Sequence, residues 1–78
     1  MAIRYEDDLA VFDDTVSVEE AEELLEWLQQ HPQGKADFSG CTHIHAADLQ
    51  VLMAARIAVA EWPRDDDLNT WLKAALGN

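Results

Sequence analysis

The segment from Asp37 to Leu52 constrains the fold more than any other part of the chain. It begins with residues that favour extended structure, passes through Ser39-Gly40, becomes extended again, and then enters a long apolar helical pattern. A Ser-Gly pair within such a run favours a turn or a β-bulge. The segment therefore predicts a brief strand over residues 35–38, a second extended step over 41–44, and a helix that begins near Ala46.

The residues before this segment predict a hairpin followed by a helix. Apolar residues alternate around Asp7-Asp8, which indicates two short strands joined by a tight turn, and Asp13-Asp14-Thr15 ends that pattern. Ser17 and Glu20 have the spacing of a capping box, so a first helix is expected from Val18 to Gln30. Its expected apolar stripe consists of Val18, Ala21, Leu24, Leu25, Trp27 and Leu28.

The residues after the segment predict two more helices with no strand between them. The second helix is expected from Ala46 to Glu61, ending before Pro63, and it is apolar on nearly every side. Trp62 to Asp67 is expected to be a loop, with Asp66 or Asp67 capping a last helix over residues 68–76. The predicted core face of that helix consists of Trp71, Leu72, Ala75 and Leu76.

Composition excludes several classes of protein. The chain has 78 residues, 49% of them apolar, which suits one small folded domain and not a disordered chain. The formal net charge of −11 argues against nucleic acid or an anionic membrane as a partner, because both attract Lys and Arg. Cys41 is the single cysteine, which fits a reducing cytoplasm, and no apolar run is long enough to span a bilayer.

The central segment resembles the core motif of STAS domains, the small α/β modules of anti-sigma-factor antagonists and of sulfate-transporter tails. The family run is typically Asp-Leu-Ser-Gly-Val-Thr-Phe-Ile-Asp-Ser-Ser-Gly-Leu. The positions that keep the family residue are Asp37, Ser39, Gly40, Thr42, Ile44 and Leu49. The resemblance implies an α/β (α+β-like) fold, with a mixed sheet of three to four short strands and about three helices, in a single STAS-like domain over residues 1–78.

This chain departs from the family at the positions that matter for regulation. His45 and Ala46 stand where STAS domains have an Asp-Ser pair, and that serine is the residue a partner kinase phosphorylates. Ala47 and Asp48 replace the following Ser-Gly. Alanine carries no hydroxyl, so phosphorylation at Ala46 is excluded. The strand that precedes the last helix in the family is also expected to be missing, which would leave one side of the sheet uncovered and favours a homodimer.

We therefore expect a non-enzymatic, cytoplasmic protein-interaction module that requires no cofactor. Its partner would be an anti-sigma kinase-like protein or a related regulatory protein, bound constitutively. An alternative is a structural or adaptor subunit of a transport or signalling complex, such as a lipid transporter. The residues expected to contact the partner are Thr42, His43, His45, Ala46, Ala47, Asp48, Leu49, Leu52 and Trp62.

A metal site is a third, more remote alternative. Cys41, His43, His45 and Asp48 place four ligand types within eight residues. Structural zinc sites usually separate their ligand pairs by a longer loop, and alternating residues of one strand cannot close a tetrahedron. The preferred interpretation places His43 on the surface and His45 near a helix N-terminus.

Overall fold

The computed structural model describes residues 2–77, which form a four-stranded mixed sheet and three α-helices that share one hydrophobic core with it. This confirms the predicted fold class. In chain order the elements are β1 (Ile3–Glu6), β2 (Leu9–Val16), α1 (Ala21–Gln30), β3 (Lys35–Ile44), α2 (Ala46–Ala55), β4 (Ala58–Glu61) and α3 (Asp66–Leu76). A 3₁₀ turn, Val18–Glu20, precedes α1.

The strands lie in the order β1-β2-β3-β4, with β1 antiparallel to β2 and the other pairs parallel. A parallel connection needs a crossover, and α1 and α2 supply the two that are required. Ile3 lies opposite Phe12 and Tyr5 opposite Ala10, on the core side of the hairpin. Val11 is buried but lies outside the core cluster, which is consistent with its position on the opposite face of the sheet.

The predicted hairpin is confirmed, but the acidic residues 13–14 do not end its second strand. β2 continues to Val16 because its pairing with β3 accommodates two register shifts, and Asp14 adopts a left-handed backbone with φ of 54°. β3 is likewise one strand and not two. The predicted bulge at Ser39-Gly40 is present, since Val11 pairs with Asp37 whereas Asp13 pairs with Gly40.

The predicted capping box forms, with the Glu20 carboxylate accepting a hydrogen bond from the Ser17 N–H at 3.4 Å. It begins the 3₁₀ turn, however, so that α1 starts at Ala21 and not at Val18. Its buried face is narrower than predicted. Leu24, Trp27 and Leu28 are buried, whereas Val18 and Leu25 are 50% and 43% exposed. Both exposed residues lie at the margin of the stripe, where a two-layer fold with a single sheet leaves the side of the helix open to solvent.

Gly34, just before β3, lies directly against the side chain of Trp27. A Cβ atom at this position would be 2.6 Å from Cη2 of the indole ring. The Gly34 N–H donates to the carbonyl oxygen of His31 at 2.8 Å, and the His31 ring stacks on Trp27 with centroids 4.6 Å apart. This contact fixes the short connection between α1 and β3.

The prediction that the second helix continues to Glu61 is wrong. α2 ends at Ala55 because Arg56 adopts the left-handed conformation, with φ of 53° and ψ of 47°, and its N–H caps the carbonyls of Leu52 and Met53. The chain then enters β4, where Val59 pairs with Ala36 of β3. The strand that was expected to be missing is therefore present. A homodimer is no longer favoured on the ground that the sheet lacks this strand.

α3 begins slightly earlier than predicted, since Asp65 and not Asp66 or Asp67 is its N-cap. The Asp65 carboxylate accepts the Leu68 N–H at 2.9 Å. Leu68 and Leu72 are buried, but Trp71, which was assigned to the core, is 45% exposed. No helix within residues 2–77 combines the length and the apolar character needed to cross a membrane.

Candidate protein-docking site

The junction between β3 and α2 is held in place by hydrogen bonds at His45. The His45 N–H donates to the Val16 carbonyl at 2.9 Å, which ties the junction to the end of β2. The His45 ring acts as the helix cap, because its Nδ1 accepts the Ala47 N–H at 3.0 Å. His45 therefore lies at the N-terminus of the helix, as the sequence predicted, with its side chain exposed.

The structure divides the nine predicted contact residues into three groups. Thr42, His43, His45 and Ala46 are exposed and Ala47 is half-buried, so these five residues are accessible on either side of the buried Ile44. The buried group, which belongs to the core and cannot contact a partner directly, consists of Asp48, Leu49 and Leu52. The assignment of these three to the surface is wrong, because an apolar helix without a polar stripe does not reveal which side faces inward.

Trp62 forms the third group by itself. It follows β4, is half-buried and packs against the core cluster, with Nζ of Lys73 5.6 Å from its ring centroid. The loop in which it lies does not replace a strand, so the reason for treating it as an exposed anchor is removed.

An open groove of about 450 Å³ lies beside the junction. It is lined by Thr42 and His43 from β3, and by Asp65, Asp67, Leu68 and Trp71 around the start of α3. The Asp65 carboxylate caps α3, whereas the Asp67 carboxylate, which also lines the groove, is not the helix cap. We call this feature the docking groove.

Trp71 is the residue of the docking groove that sequence reasoning missed. Trp71 is 45% exposed and provides a large apolar surface beside the docking groove. A weak signal was present in the sequence, since Leu68 and Leu72 are spaced i, i+4 and leave Trp71 at the edge of the inward stripe. The position of Trp71 next to His43 depends on tertiary packing and has no local signal.

Beneath the junction, Asp48 is completely buried. Among the described residues, no group donates a hydrogen bond to either oxygen of its carboxylate. A carboxylate in the third position of a helix commonly accepts the N–H of the capping residue, but the His45 N–H is already bonded to Val16. The pKa of Asp48 is raised to about 6, mainly by burial and also by the charge of Glu20, while His45 acts in the opposite direction.

Tyr5 belongs to the same buried polar region. Its hydroxyl forms no hydrogen bond with any residue of the described chain, and its ring lies 5.3 Å from that of Trp27. Burial is the largest cause that raises the pKa of Tyr5, and the charges of Glu23, Glu20 and Asp48 act in the same direction. Acidic charges therefore dominate around Tyr5 and Asp48, and His45 is the group that offsets them at Asp48.

The residues of the possible metal site do not converge. Cys41 is buried, its Sγ donates to the His43 carbonyl at 3.5 Å, and burial raises the thiol pKa to about 11. His43 and His45 are exposed, whereas Asp48 is in the core. Across residues 2–77, no three His, Cys, Asp or Glu side chains are grouped in a way that could hold a metal ion.

No family model matches the chain, and no curated protein or solved structure is significantly similar to it.

Proposed function

We propose that the chain is a non-enzymatic, STAS-like protein-interaction module that binds its partner through the docking groove and the exposed start of α2. The observation that carries this proposal is the exposed ring of Trp71 beside Thr42 and His43. A half-exposed tryptophan at the edge of an open groove supplies the apolar anchor of a protein interface, and the polar residues around it supply the rim.

The order of elements supports the STAS-like part of the proposal. A strand pair, a helix, a central strand, the junction, a second helix, a further strand and a last helix follow one another as the resemblance implies. The presence of β4 removes the largest departure from that order.

The exposed position of Ala46 supports constitutive binding. Ala46 is the first residue of α2 and is accessible, where the family pattern places a serine that is phosphorylated. Because alanine has no hydroxyl, the affinity for the partner does not depend on a phosphate at this position. The partner we propose is an anti-sigma kinase-like protein, with a transporter or other regulatory subunit as the alternative.

The proposal is tested by capturing the partner with tagged wild-type chain and with Trp71→Ala, followed by mass spectrometry and then a binding titration with the purified partner. We expect Trp71→Ala to weaken binding by about tenfold or more, which corresponds to about 1.4 kcal/mol. Val18→Ala is the matched control, because Val18 is also half-exposed but does not line the docking groove.

Equal binding by wild type, Trp71→Ala and Val18→Ala, with the fold of each verified by circular dichroism, would contradict the proposal. The identity of the captured protein separates the two partner classes, since an ATP-binding kinase and a transporter subunit are distinguished by their peptides.

A further inference from the structure

A second open groove, with a volume of about 410 Å³, lies between α1 and α2. Leu28 forms its buried floor, and Leu25 forms its wall on the α1 side. The α2 wall consists of Val51, Ala54 and Ala55. None of these residues lines the docking groove, so this interhelical groove is a separate surface.

The interhelical groove is apolar and accessible. Leu25 is 43% exposed, Ala54 and Ala55 are exposed, and Val51 is half-buried. The small side chains on α2 leave the groove smooth, so that another helix can approach closely. Each wall is a helix of ten residues, about 15 Å long, which is enough to contact two to three turns of a bound helix.

The acidic residues beside the groove favour a positively charged ligand. Gln29 lines the groove, whereas Glu22 and Glu26, which are exposed and at positions i−3 and i+1 from Leu25, lie on the outer side of the α1 wall. Neither α1 nor α2 contains a Lys or Arg, and the cation nearest to the groove in sequence is the exposed Arg56, which directly follows Ala55. A second copy of the chain, with its own net charge of −11, would bring glutamates against glutamates. The rim instead complements a ligand with positive charges beside an apolar stripe.

We propose that the interhelical groove binds a basic amphipathic helix of a partner protein. The apolar stripe of that helix packs on Leu25 and Ala54, and its Lys or Arg side chains lie beside Glu22 and Glu26. This proposal uses a different surface from the docking groove and does not depend on it.

The probe for this proposal is a synthetic amphipathic helix of about 14 residues, with leucines on one stripe and lysines elsewhere. A peptide in which glutamate replaces every lysine is the charge control. In an NMR titration of the isotopically labelled chain, we expect the lysine peptide to shift the amide signals of Leu25, Val51, Ala54 and Ala55. We expect the glutamate peptide to bind about tenfold or more weakly.

Two pairs of variants separate the groove from general charge attraction. Leu25→Glu should weaken binding of the lysine peptide by about tenfold, whereas Val18→Glu, the same change at a similarly exposed residue outside the groove, should leave it within about twofold. The double variant Glu22→Gln, Glu26→Gln should weaken binding of the lysine peptide by about two- to fivefold. The double variant Asp8→Asn, Glu61→Gln removes the same amount of charge away from the groove and should weaken binding less.

Two results would overturn the proposal. Equal binding of the lysine peptide to wild type, Leu25→Glu and Val18→Glu would show that it senses only the overall acidity of the chain. In sedimentation experiments without peptide, a dimer that is abolished by Leu25→Glu and retained by Val18→Glu would show that a second copy occupies the groove.

Discussion

At the scale of single residues, two buried carboxylates have opposite surroundings. Glu20 accepts hydrogen bonds from the backbone N–H groups of Ala2 and Ile3, each at 3.1 Å, and from Ser17 at 3.4 Å. Asp48, although completely buried, has no donor to its carboxylate among residues 2–77. The oxygens of Glu20 are therefore hydrogen-bonded, whereas burial opposes charge on Asp48.

The first prediction concerns Asp48→Asn, which keeps the shape of the side chain and removes its charge. In the folded chain the pKa of Asp48 is raised to about 6, above the value of about 3.9 in an unfolded chain. The unfolded state loses this proton first as the pH rises, so Asp48 lowers stability increasingly between about pH 4 and pH 6. The variant should raise the free energy of unfolding by about 1–2 kcal/mol at pH 7 and change it little at pH 4.

Urea denaturation from pH 4 to pH 8 measures this difference, and Glu20→Gln is the matched control. The same chemical change at Glu20 replaces one of its two acceptor oxygens by an NH2 donor. Because one oxygen accepts from Ala2 and Ile3 and the other from Ser17, at least one of these sets of hydrogen bonds is lost, and stability at pH 7 should fall by about 1–3 kcal/mol. A loss of stability in both variants at pH 7 would show that charge on Asp48 is not opposed by the fold.

At the scale of elements, the start of α2 could be predicted and the starts of α1 and α3 to within three residues, but the end of α2 could not. A helix start depends on local hydrogen bonds, and the Ser17–Glu20 pair indicates one within four residues. The end of α2 falls in a run where Ala54, Ala55, Ala58 and Ala60 favour a continued helix by local propensity. The pairing of β4 with β3 overrides this propensity, and that contact is not local.

The candidate site shows the same division between local and tertiary information. The junction residues Thr42, His43 and His45 were found from a motif, because their positions follow from one continuous segment. Asp65 and Trp71 could not be assigned to the same groove, since α3 reaches it only through folding of the whole chain. Asp67 was identified only as a possible helix cap for the same reason.

The second prediction concerns Arg56→Gly at the end of α2. Arg56 holds a left-handed backbone, which costs a residue with a side chain about 1 kcal/mol that glycine avoids. The variant should raise the free energy of unfolding by about 0.5–1 kcal/mol, measured in urea. Arg64→Gly is the control, because it removes the same charge at an exposed loop residue without a positive φ and should not raise the free energy of unfolding. An equal increase in both variants would show that the effect comes from the charge and not from the backbone conformation.

At the scale of the whole molecule, acidic charge is largely uncompensated. The sequence carries sixteen acidic and five basic residues. Within the part of the chain that the structure describes, the ion pairs are those of Arg4 with Glu6 and Asp13, each at 3.2 Å and solvent-exposed. Exposed pairs contribute little, so mutual repulsion among the acids acts against the compact state.

The third prediction follows from this repulsion. Raising NaCl from about 20 mM to about 500 mM shortens the Debye length and should increase the free energy of unfolding at pH 7 by about 1 kcal/mol. Urea denaturation at the two salt concentrations measures the gain. Asp8→Lys with Glu61→Lys moves the net charge towards neutrality and should reduce the gain, so an identical salt response in this variant would contradict the explanation.

The packing of Trp27 on Gly34 also has an evolutionary consequence. Any side chain at position 34 would enter the space of the indole ring, whereas a Cβ at Gly40 would meet only a carboxylate oxygen of Asp13, which can rotate away. Homologues that keep this fold should therefore retain glycine at position 34 wherever a tryptophan occupies position 27, and should vary freely at position 40. The pair at 27 and 34 is thus a signature by which distant relatives of this chain can be recognised.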